Sequence, residues 1–148
     1  MINLTKEQIW SIAQDLDMGM RCFYHLKTGE IETTPNFHDS NWFGQDTEPW
    51  QEVLDKLDEN LGEYFEFDRM TSRESFSLME DFADTVDNKK LQDRLYKALN
   101  GSKPFRNFKW EIDNSGEYRQ IWFDFKNNRL IEFVKIQIER YNSARKNV

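Results

Sequence analysis

The chain has 148 residues, of which 38% are hydrophobic, 15% aromatic and 32% charged, with a formal net charge of −7. Only six glycines and three prolines are present, which excludes a collagen-like or low-complexity chain, and 22 aromatic rings argue against disorder. The length suits one domain over residues 1–148, and the acidic balance disfavours nonspecific nucleic-acid binding.

The first predicted helix begins at Thr5, whose hydroxyl stands at capping-box spacing from Gln8. Ile9, Ile12, Ala13 and Leu16 follow as one apolar stripe. Residues 18–26 alternate as a strand, with Cys22 and Tyr24 on one face and Arg21 and His25 on the other. Lys27–Glu30 reads as a turn in which Gly29 takes positive φ, and Ile31–Thr33 as the returning strand. Residues 34–47 read as a polar loop whose Phe37, Trp42 and Phe43 are expected to pack down. A second helix is predicted over 48–61, with Trp50, Val53, Leu54, Leu57 and Leu61 inward, and a third strand over 64–68.

From residue 72 every predicted element is helical. Thr71 and Glu74 have capping-box spacing, and Phe76, Met79, Phe82, Ala83 and Val86 form an inner stripe over about 72–86. Asp87 is placed to cap the next helix, which carries Leu91, Leu95, Ala98 and Leu99 and ends at Gly101. Pro104 suits a first helical turn, after which Phe105, Phe108 and Ile112 share one face. A last helix begins at Tyr118 with Ile121, Trp122 and Phe125. Its stripe then shifts phase to Leu130, Val134, Ile138 and Tyr141, which predicts a kink or break at Asn127–Asn128, and the tail from Ser143 is expected to fray. The fold class is therefore α+β, mainly helical, with a small antiparallel sheet (a hairpin plus a third strand) near the N-terminus.

No stretch approaches the roughly 18 apolar residues of a membrane span, and the N-terminus has no basic region followed by an apolar run, so a cytoplasmic location is expected. One cysteine fits a reducing compartment. Cys22 and His25 lie three apart on a strand, so they point to opposite faces and do not form a nucleophile–base pair. His38-Asp39 in the loop and His25 are the histidine-bearing sites, yet no spaced metal-ligand set such as H-E-x-x-H is present. Glu80, Asp81 and Asp84 cluster on one helix, where paired carboxylates can do acid–base work or hold a cation. A solvated face is the plainer account in a stretch this acidic. Lys103, Arg106 and Lys109 alternate with Phe105, Phe108 and Trp110, a mixture that can bind single-stranded nucleic acid. Helical spacing gives the plainer reading, with both Phe residues buried and the three cations in water. No catalytic, cofactor-binding or metal-ligating residue is assigned from these patterns.

Charge divides along the chain, with −14 over residues 1–87 and +7 over residues 88–148. The expectation is that the two halves complement one another, within the chain or across a homodimer.

The segment Thr71–Ala83, with Leu91, Arg94-Leu95, Ala98-Leu99, Gly101, Phe105, Phe108, Lys109, Trp122-Phe123 and Arg129-Leu130, resembles uncharacterised protein family (UPF) 0158, a set of small bacterial proteins. The turn at Leu26-x-x-Gly29-Glu30 fits the same pattern. The likeness extends over residues 5–141 and implies no activity and no catalytic residues to carry over. The expected function is a non-enzymatic binding or regulatory module acting on another protein. The alternatives are a small-molecule enzyme using the clustered carboxylates and a nucleic-acid binder using the basic second half. A flat apolar patch rimmed by charge would indicate the first, acids around a deep pocket the second, and a continuous basic face with exposed Phe105 or Trp110 the third.

Overall fold

The computed structural model describes residues 1–37 and 47–146. His38, Asp39, Trp42 and Phe43 lie outside these residues, and so does the expectation that residues 38–46 pack down. The chain divides into two compact units, one made of Met1–Arg69 with Leu130–Val148 and the other of Met70–Arg129.

In the first unit, α1 (Lys6–Asp17) starts at a complete capping box: the Thr5 hydroxyl accepts from the Gln8 amide at 3.1 Å, and the Thr5 amide donates to the Gln8 side chain at 2.9 Å. Its inward residues are Ile9, Ile12, Ala13 and Leu16, as the spacing predicts. Strands β1 (Met20–His25), β2 (Ile31–Pro35) and β3 (Tyr64–Glu66) form an antiparallel sheet in the order β2-β1-β3. Gly29 turns the hairpin at φ 77°. Because β1 is central, Cys22, Phe23, Tyr24 and His25 are all buried, those on both faces alike.

The segment expected as one helix over 48–61 is split. A 3-10 turn at Glu48–Trp50 leads into α2 (Gln51–Glu59), and a second 3-10 turn covers Leu61–Glu63. Leu57 is buried, but Leu61 lies beyond the helix end and is exposed, correcting its place in the stripe.

The second unit holds α3 (Ser72–Thr85), α4 (Lys89–Asn100), α5 (Pro104–Asp113) and the first turns of α6 (Tyr118–Lys146). The Thr71–Glu74 capping box is formed. The cap of α4 is Asn88, not Asp87: the Asn88 carboxamide oxygen accepts from the Leu91 amide at 3.1 Å, while Asp87 accepts from the Tyr118 hydroxyl. Phe82, Leu95, Phe108 and Ile112 anchor the core, with Trp122 5.1 Å from Phe82 and 5.0 Å from Phe108, ring centre to ring centre.

Helix α6 is continuous through Asn127–Asn128 and runs to Lys146, so the expected break is overturned. The phase shift in its stripe has another cause. Trp122 serves the core of the second unit, whereas Leu130 and Val134 belong to the first. The stripe changes phase where the helix passes from one unit to the other. Among the described residues, no helix is long and apolar enough to cross a membrane.

Candidate functional site

Pro104 opens α5 at a position where its missing N–H removes a donor that has no helical partner in any case. Phe108 and Ile112 then fall four apart and bury themselves almost fully. Their burial fixes the helix rotation and turns the opposite side outward. That side carries an open groove of about 430 Å³ lined by Arg106, Asn107, Lys109, Trp110 and Asp113.

Trp110 is 62% exposed and Phe105 44% exposed. The expectation for Phe108 holds, but that for Phe105 does not. Phe105 shares an angular position with Ile112, yet it sits in the first turn, past the core. Its ring meets that of Phe76 at a steep angle, at 6.3 Å between centroids. Lys103, Arg106 and Lys109 are exposed as predicted, and their side chains make no ion pair among the described residues.

Two arginines of this unit are committed. Arg129 reaches Asp81 at 2.9 Å and lies over the Phe125 ring, and Arg119 reaches Asp113 at 3.3 Å and lies over Phe123. Asp113 is therefore partly neutralised from outside the groove. Lys103 adopts a left-handed conformation, φ 50° and ψ 56°, and its side chain gives the first-turn amides of α5 no cap. Those amides add a small positive contribution at the Lys103 end.

The remaining candidates are not brought together. Cys22 is fully buried, and burial pushes its thiol up to about 12, far from a reactive thiolate. His25, on the other face of β1, is used by the hairpin. Its Nδ1 accepts from the amides of Lys27 and Thr28, each at 3.1 Å, and its Nε2 stands 3.3 Å from Glu63. Lys27, and after it His25, hold the Glu63 carboxyl below its ordinary range.

The acids of α3 go to separate partners. Asp81 takes Arg129, and Asp84 accepts from the Tyr96 hydroxyl at 2.6 Å, which raises that phenol above its ordinary value. They converge on no shared site. Among the described residues no group of three or more His, Cys, Asp or Glu side chains is placed to hold a metal ion.

The sequence model of "Uncharacterised protein family (UPF0158)" matches residues 43–144, well over half of the chain. The chain belongs to UPF0158. A UPF0158 protein of Pseudomonas aeruginosa is 35% identical over 82 residues, covering 55% of this chain and 54% of that protein. The chain thus spans about half the length of the curated relative it matches. No solved structure matches it.

Within this UPF0158 chain, several positions that carry the likeness, such as Phe82, Leu95, Phe108 and Trp122, are core residues, whereas Phe105 is exposed and Lys109 lines the groove. Sequence spacing assigned Phe105 to the core because periodicity reports angle around a helix but not depth along it.

Proposed function

We propose that this UPF0158 chain is a non-enzymatic binding module that acts on another protein through the outer face of α5. The observation that carries this reading is the exposure of Trp110, at 62%, beside Arg106 and Lys109 on a helix whose other face is anchored in a core. Trp and Arg are the side chains most enriched where binding energy concentrates, and a rigid helix presents them at little entropic cost. The separate partners of Asp81 and Asp84, the inaccessible Cys22 and the turn-bound His25 weigh against an acid–base or nucleophilic centre.

A photo-crosslinking residue in place of Trp110 tests the reading in the cells that make the protein, with the same residue in place of Lys97, exposed on α4, as control. Protein adducts formed at position 110 and absent at position 97 are expected. Adducts to nucleic acid alone, or none at position 110, overturn it.

A second reading, single-stranded nucleic-acid binding, is favoured by the exposure of both Phe105 and Trp110 beside Lys103, Arg106 and Lys109, which make no ion pair among the described residues. It is weakened by the second half of α5. There Asp113 interrupts the positive strip that a phosphate backbone would follow.

A further inference from the structure

We infer that the α5 groove receives an acidic peptide segment of its partner, with an apolar side chain laid on Trp110 and carboxylates on Arg106 and Lys109; this rests on the protein-docking reading above. The groove is short. From Arg106 to Asp113 the helix rises about 10 Å, the reach of roughly three extended residues. Its lining is polarised along that length. Arg106 and Lys109, with Lys103 just beyond, make one end positive and lack ion pairs among the described residues. Asp113 makes the other end an acceptor.

Such a lining suits a segment with carboxylates toward the N-terminal end of α5 and a backbone or side-chain donor at Asp113. The charge of the whole chain, −7, does not prevent this. Screening at about 8–10 Å leaves the nearest cations in control of a short ligand. A long polyphosphate would leave their reach and meet Asp113. Arginine holds a carboxylate in a two-point fork, which gives such a segment direction as well as affinity.

The test is fluorescence anisotropy on the full chain with three labelled twelve-residue probes. The first is a peptide of Asp and Glu around Leu and Phe, the second replaces each Asp and Glu with Asn and Gln, and the third is an oligouridylate. The acidic peptide is expected to bind best. Its affinity should fall roughly tenfold or more in Trp110→Ala and in Arg106→Glu/Lys109→Glu, and by less in Arg106→Lys, which keeps the charge and loses the fork. These positions are exposed, so unchanged thermal melts should show that the variants fold.

Equal binding of the neutral peptide overturns the acidic assignment and leaves protein docking standing. Failure of the acidic peptide to bind, while protein adducts still form at position 110, overturns the inference alone. Preferential, Trp110-dependent binding of the oligouridylate overturns the inference and the docking reading together.

Discussion

At the scale of single residues, several side chains have functions their sequence neighbours do not disclose. Gln137 is buried in α6, where its carboxamide oxygen accepts from the Asp68 amide at 2.7 Å and its NH2 donates to the Asp68 carbonyl at 3.0 Å. It completes the pairing of a chain segment just beyond β3. Gln137→Ala should cost about 1–3 kcal/mol in a denaturant melt, because both Asp68 groups lose their partner in a partly dry setting.

Cys22 supplies a pH dependence. Its thiol ionises near 9 when unfolded and near 12 when folded. The folded state therefore keeps a proton that the unfolded chain has lost, and stability should fall as pH rises from about 9 to about 12. Cys22→Ala should flatten that slope in melts across this range, and thiol reagents should label native Cys22 only at the rate of unfolding. Lys103 holds a left-handed conformation that costs a non-glycine residue about 1 kcal/mol. Lys103→Gly should leave the melting temperature unchanged or raise it.

At the scale of elements, α5 separates two phenylalanines that the spacing treats alike. Phe108 is 1% exposed and packs on Phe82 and Trp122, so Phe108→Ala should cost about 3–5 kcal/mol. Phe105 keeps nearly half its surface in water, and Phe105→Ala should cost only about 1–2 kcal/mol. Equal losses in the two melts would contradict this placement.

The long helix α6 makes a related point. A helix with a single stripe reports one core, and a shift of phase reports either a bend or a change of core. Here the backbone remains helical and the core changes.

At the scale of the whole molecule, charge is settled mainly nearby. In the first unit Arg21 forms a two-point pair with Glu66 at 2.7 and 2.9 Å, and Lys56 lies between Glu30 and Glu32 at 3.1 and 3.0 Å. All of these belong to the acidic residues 1–87. Arg129–Asp81 and the hydroxyls of Tyr96 and Tyr118 on Asp84 and Asp87 do join the acidic and basic halves of the sequence, within the second unit. The expected complementation is therefore present but partial, and Lys103, Arg106 and Lys109 make no ion pair among the described residues. Exposed pairs contribute about 0–1 kcal/mol each, so raising salt should shift the melting temperature only slightly. Binding to single-stranded DNA and RNA at low salt should be weak, and a tight complex that dissolves steeply with salt would overturn that expectation.

The sequence alone determined what depends on near neighbours. Caps at Thr5 and Thr71, the Gly29 turn, the strand alternation and the helical stripes act over a few residues, so the α+β class and the order of elements could be read directly. Capping by Asn88 rather than Asp87 turned on a choice between adjacent acceptors, settled once Tyr118 occupied Asp87. Depth and distant pairing were decided only by tertiary structure. The exposure of Phe105 and Trp110, the division of α6 between two cores, and the pairing of Gln137 with Asp68 depend on which elements meet. That is a long-range outcome that local periodicity does not encode.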